Sequence, residues 1–207
     1  MEISDKGLVS LAAKEGIVVA PYRDVVGVWT WGVGHTLHDG FNPKTMARAM
    51  PANVNGVVNE ALKVFRKDLT RYEKDVNEAV KVPVSQHEFD ALVSFHYNTG
   101  GIYKATLTKL LNRSDHKGAG AAFMGWIKPA AIIPRRKAER VLFETGDYGR
   151  MNVPVYGTDG AGNLGGVIDT LSGAEILARS GYAPPVKKVN WLAVLIAAII
   201  KLFGGKK

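Results

Sequence analysis

Val58, Leu62, Phe65, Leu69, Tyr72 and Val76 step along the chain by four, three, four, three and four residues. That is the period of one apolar face on an α-helix, and it predicts a helix over about residues 56–80. At 1.5 Å per residue such a helix runs for about 37 Å, the span of a small domain. A rod of that length divides the chain into an N-terminal and a C-terminal part, and both must pack along its apolar stripe.

The N-terminal part is short and mixed. Leu8, Leu11 and Glu15 fall at i, i+3 and i+7, which predicts a helix over about residues 4–15 with Gly16 as its stop. Pro21–Asp24 and Val28–Val33 are β-prone, with Gly27 in the connection, so a hairpin is predicted to about residue 36. Asn42 and Pro43 suit the N-cap and first position of a short helix. Beyond the long helix, Pro83 is a stop, and Ser85 with Glu88 forms a capping-box pattern that starts the next helix. Further helices are predicted near 106–112, 118–127 and 135–145, the last ended by Gly146. The fold class is therefore α+β. A small lobe containing a β-hairpin precedes a larger helical lobe, joined by the long helix, and substrate clefts commonly form between such lobes.

Glu15, Asp24 and Thr30 stand as E-x8-D-x5-T in LAAKEGIVVAPYRDVVGVWTWGVGHT. Cleavage of a glycosidic bond needs a general acid on one side and a carboxylate on the other, which directs a water or attacks the sugar. Glu15 shares a face with two core-type leucines. A carboxyl group at the edge of an apolar surface is desolvated, which favours the protonated form a general acid needs. If the hairpin turn takes about five residues, Asp24 and Thr30 become close cross-strand neighbours. A carboxylate beside a hydroxyl can hold a water between them.

The spacing resembles the phage-type lysozymes of glycoside hydrolase family 24, the muramidase endolysins. SQHEFDALVSFHYNTGGIYKATLTKLLN, GWIKPA and PRRKAERVLFETGDYG resemble later segments of that family in the same order, so the likeness covers about residues 4–150. It implies a lysozyme-like fold and hydrolysis of the β-1,4 bond between N-acetylmuramic acid and N-acetylglucosamine in peptidoglycan. It also implies that Glu15 is the acid and that Asp24 and Thr30 position and activate water for an inverting displacement. Asn98, before Gly100 and Gly101, is either a sugar-reading amide or a helix-ending residue. Tyr22 and Trp31 either stack on sugar faces or belong to the core. Arg136 opens a basic helix that in the family lies near the acid, so it could pair with Glu15. The family's arrangement also suggests that His35 and Asp75 meet as an ion pair, the alternative being a hydrogen-bonded His35 with no charge partner.

Composition narrows the chemistry further. The 207 residues include no cysteine, which excludes disulfides, a thiolate nucleophile and Cys-based zinc sites. The five histidines show no metal-ligand spacing, and no phosphate-loop or dinucleotide fingerprint is present, so neither metal nor cofactor is expected. A formal charge of +8 and a pI of about 9.6 favour a polyanionic partner. No nucleic-acid-binding module appears, which leaves the carboxylates of peptidoglycan as the expected target. Two other classes share much of this pattern. A catalytically idle wall-binding protein has no need of all three groups, and a lytic transglycosylase needs only the glutamate.

Residues 1–150 are thus expected to form the catalytic domain. Residues 151–183, with GTDGAGNLGG and a short helix capped by Ser172 and Glu175, are expected as an appendage to it. Residues 184–207 read as a Pro/Lys linker and an apolar, Lys-flanked helix. The run from Trp191 to Phe203, as a helix of about 20 Å, is too short to span a bilayer core of about 30 Å. Flanked by Lys187, Lys188, Lys206 and Lys207, it suits an anionic membrane surface, with packing onto the catalytic domain as the alternative. No N-terminal signal peptide is recognisable in MEISDKGLVSL. The expectation is synthesis in the host cytoplasm and action on the wall, in the periplasm, reached either through a separate holin-type pore or with the help of the tail at the membrane.

Overall fold

The computed structural model of the protein describes residues 1–181, and the membrane-surface reading of the tail lies outside them. Helix α1, Asp5–Glu15, is capped by the Ser4 side chain, which accepts from the Gly7 N–H. It stops at Gly16 because the chain there takes φ +73°, and because the Tyr156 ring stands 2.6 Å from where a Cβ would sit. Strands β1, Ile17–Arg23, and β2, Trp29–Gly32, come next as an antiparallel pair. Asn42 caps a single 3-10 turn, Pro43–Thr45.

The long helix α2 runs Val54–Ala79, and Val58, Leu62, Phe65, Leu69 and Val76 of the predicted stripe are buried. It ends at Ala79, one turn before Pro83. Helix α3, Gln86–Thr99, starts on the complete Ser85/Glu88 capping box and is buried without a break from Phe89 to His96. Both of its faces are covered because α1, α2 and α6 pack around it. Helices α4, Thr106–Leu111, α5, His116–Ala122, and α6, Ile133–Thr145, complete the helical part. Phe65, Phe89, Leu92, Phe95, Phe123 and Phe143 lie in one continuous core across these helices, each side chain contributing about 1.5–3 kcal/mol by leaving water.

Residues 153–171 are not simply a Gly-rich appendage. Val153–Thr158 forms β3 and Leu164–Leu171 forms β4, giving a four-stranded sheet of order β2-β1-β3-β4. Strand β3 runs parallel to β1, with Ile17 opposite Val155 and Val18 opposite Tyr156, and β4 closes the edge antiparallel to β3. Helix α7, Gly173–Arg179, starts on the expected Ser172/Glu175 capping box and packs on α1 and α2. No described helix is long and apolar enough to cross a membrane.

One expected pair is replaced by another. His35 Nδ1 lies 2.7 Å from Asp68 Oδ2, and both side chains are buried. Asp75 instead meets His96 Nε2 at 2.9 Å and accepts from the Tyr103 hydroxyl at 3.1 Å. Asp68 and Asp75 are one heptad apart on α2, so they share a face at different heights, and only Asp68 is level with the end of β2.

Candidate active site

Glu15 is the last residue of α1, with 19% of its side chain exposed. Its Oε1 is buried, 2.7 Å from Arg135 Nη2, as an ion pair in which no N–H is aligned well enough to give that oxygen a hydrogen bond. Arg135 also reaches Glu139 Oε1 at 3.0 Å. Burial opposes the charge on Arg135, but Glu15 and Glu139 outweigh it and hold the guanidinium above its ordinary pKa. The expected partner Arg136 does not touch Glu15. It is fully buried, donates to Glu139 Oε2 and Asn98 Oδ1, and lies over the Phe95 ring. Helical geometry explains the exchange. Positions 135 and 139 are four apart on one face of α6, and 136 turns about 100° away, into the core.

Behind this arginine pair the network is buried, and within it Arg136 Nε has no hydrogen-bond partner among the described residues. Ser94 Oγ donates to Glu139 Oε1 at 2.8 Å, and Glu139 is fully buried. Asn98, at the exposed end of α3, is tied to Arg136 rather than simply ending its helix.

Lys14, next to the acid, donates to Ser10 Oγ at 2.7 Å, and burial pushes its amine down to about 8, against the pull of Glu139. Its unfolded value is near 10.5, so between about pH 8 and 10.5 the unfolded chain binds the extra proton. Stability should therefore rise with pH through that window and be lost as pH falls towards 8. Lys14→Met should remove this component. In chemical denaturation at pH 7.5 and 10, wild type should gain on Lys14→Met at the higher pH, and a constant difference between them would refute the assignment.

The hairpin supplies the other groups, in a tighter form than expected. Asp24 N–H donates to Val28 O at 2.9 Å, closing a loop of only Val25, Val26 and Gly27, with Gly27 at φ +85°. Thr30 therefore lies opposite Tyr22, and Asp24 opposite Val28. Asp24 and Thr30 are not directly paired but are diagonal neighbours on one face, with Cα atoms about 7–8 Å apart. Asp24 Oδ1 accepts from the Val26 and Val28 amides at 3.0 and 2.8 Å. Its Oδ2 has no hydrogen-bond partner among the described residues. The Thr30 side chain is buried, and its hydroxyl donates to Val28 O at 3.2 Å.

Tyr22 links the two halves. Burial, then the fields of Glu15 and Asp24, push its phenol up to about 12, so it stays neutral while feeling both carboxyl groups. Tyr97 is also raised, by burial first and then by Glu15, and its hydroxyl donates to Val33 O at 2.5 Å. Trp31, by contrast, is 2% exposed and packs on Phe41 at 5.2 Å. It is core and cannot stack on a sugar.

The phage lysozyme family description matches residues 12–139, a stretch that contains Glu15, Asp24, Thr30, Arg135 and Glu139. The chain belongs to the phage lysozyme family. It is accordingly a lysozyme-type glycoside hydrolase. Among its relatives, the endolysin of Acyrthosiphon pisum secondary endosymbiont phage 1 is 34% identical over 158 residues, 70% of this chain and 99% of that protein. The endolysin of Salmonella phage P22 is 31% identical, over 69% of this chain and 98% of that one. A solved endolysin from Escherichia coli O157:H7 phage FAHEc1 superposes with a TM-score of 0.61 at 29% identity, over 72% of this chain and 98% of that one. The family fold thus spans the triad, while about three-tenths of this chain has no counterpart in these relatives.

Proposed function

We propose that the protein is an endolysin-type muramidase that hydrolyses the β-1,4 bond between N-acetylmuramic acid and N-acetylglucosamine with inversion. The observation that carries this reading is the division of labour in the site. One carboxyl group is fixed against a shared arginine at the end of α1, and a second carboxylate with an unpartnered oxygen stands near a hydroxyl on the hairpin. Glu15 donates its proton, through Oε2, to the leaving oxygen. Arg135 divides its charge between Glu15 and Glu139 and stabilises the carboxylate left behind. Asp24 Oδ2 and the Thr30 hydroxyl hold the water on the opposite face of the sugar, and Asp24 accepts its proton as the water attacks the anomeric carbon. The family's endolysin relatives support peptidoglycan as substrate, as does the net charge of +8, which favours a polymer rich in carboxylates.

Mass spectrometry of muropeptides released from purified walls tests the reaction class. Hydrolysis leaves new reducing ends. Anhydro ends would mark a lytic transglycosylase, and the absence of product would mark an idle binder.

A further inference from the structure

Arg23 and Trp29 are the last cross-strand pair before the loop that carries Asp24. They lie on the sheet face opposite Tyr22 and Thr30, and the turn between β3 and β4 reaches them there. The Arg23 N–H donates to the Gly162 carbonyl at 2.8 Å, while the next amide, of Asp24, donates to Val28 on the other side. Gly162 is buried at φ +99°, and a Cβ on it would stand 2.7 Å from Trp29 Cη2. Only glycine allows the indole edge to rest against that backbone. The guanidinium groups of Arg23 and Arg48 lie over the same indole, at 5.1 and 4.6 Å from the ring centre.

The turn is itself braced. Asp159 Oδ1 accepts from the Ala161 and Asn163 amides at 2.8 and 3.0 Å, and Asn163 Nδ2 donates to Asp159 Oδ2 at 2.6 Å. The hairpin loop, in contrast, ends in Val25 and Val26, both exposed, so its tip has no packing of its own to hold Asp24. The Val26 and Val28 amides hold Asp24 within the loop, and the placement of the loop as a whole on the sheet is set at its base. The matched family stretch ends at residue 139, so the β3–β4 turn lies outside it.

We infer that the β3–β4 turn is a clasp that positions Asp24 for hydrolysis, with Gly162 and Trp29 as its contact. The inference rests on the reading of Asp24 as the residue that activates water. The clasp holds the backbone one peptide before Asp24, and a displacement of about 1 Å there is enough to cost up to roughly 100-fold in turnover.

The test uses full-length Gly162→Ala and Asp159→Ala proteins. The first forces a side chain against the indole, and the second loosens an exposed turn without adding bulk. Three quantities are read: kcat and KM on purified peptidoglycan, amide hydrogen exchange at Arg23, and exchange in the core of α3. Each variant should lower kcat by about tenfold or more with KM within about twofold, and should speed exchange at Arg23 at least about tenfold with α3 unchanged. Should Gly162→Ala fail to fold, Asp159→Ala carries the same readouts. Turnover within twofold of wild type despite faster exchange at Arg23 overturns the clasp. So does lowered turnover with Arg23 exchange unchanged. A Glu15→Gln protein that stays active would instead overturn the hydrolytic reading, and leaves the exchange comparison intact.

Discussion

Glu15→Gln should reduce turnover of purified peptidoglycan by about 10²–10⁴-fold, the share that a positioned general acid supplies. The amide is nearly the same size as the carboxylic acid but cannot give up a proton to the leaving oxygen. The fold should survive the change. Arg135 keeps its 3.0 Å pair with Glu139, so no cation is stranded when the Glu15 carboxyl is replaced. The pairing of an inactive enzyme with an ordinary unfolding transition is therefore the expected result, read by muropeptide release and by thermal unfolding on the same sample. A folded variant with near-normal turnover would remove Glu15 from the mechanism.

The second large effect is on stability and comes from a residue that never meets substrate. Glu139→Ala should destabilise the protein by about 3–5 kcal/mol, because it strands a buried charge. Arg136 is fully buried and donates to Glu139 Oε2, and Ser94 loses its acceptor in the same step. Against a typical total of about 5–15 kcal/mol, that is a large fraction. An exposed pair such as Lys63–Glu60, 3.9 Å apart, should contribute about 0–1 kcal/mol. Replacing both buried partners together, as Arg136→Met with Glu139→Leu, should cost much less than Glu139→Ala alone, since no charge is then left without a partner. Urea denaturation of the three variants decides this. A Glu139→Ala loss below about 1 kcal/mol would show that water reaches Arg136 and that the core is not closed around it.

Much of this site is legible before folding because its chemistry is local in sequence. Glu15, Asp24 and Thr30 all lie within one helix and the hairpin directly after it, so spacing alone brings them near one another. Helix ends are equally readable. Ser85 with Glu88 and Ser172 with Glu175 form complete capping boxes, and Gly146 ends α6 at φ +74°. What spacing does not carry is height and rotation. The helical period places Asp68 and Asp75 on one face but does not say which of them is level with His35. In PRRKAER the i, i+4 pairing of Arg135 with Glu139 is visible, and it favours Arg135 over Arg136 as the arginine facing the acid. The hairpin register turns on loop length. A three-residue loop sets Thr30 opposite Tyr22, whereas five residues would set it closer to Asp24.

Strands β3 and β4 are the least legible. LGGVIDTL has two glycines and no alternation of buried and exposed positions, and nearly all of it is exposed. It is a strand because β3 pairs with β1 from the other end of the sequence, a non-local contact that no window on the sequence can hold. The same non-local pairing brings Gly162 to Trp29, so the proposed clasp is hidden from the sequence for the same reason.

The most direct measurement is the configuration of the product at the moment it forms. In an inverting reaction the water held by Asp24 and Thr30 attacks the face opposite the leaving oxygen, so the β-linked sugar is released as the α anomer. Proton NMR of a soluble peptidoglycan oligosaccharide, recorded through the first minutes before mutarotation, should show the α-anomeric signal of the new reducing end appearing first. Initial release of the β anomer would mean a covalent or retaining route, and would contradict the roles assigned here to Asp24 and Thr30.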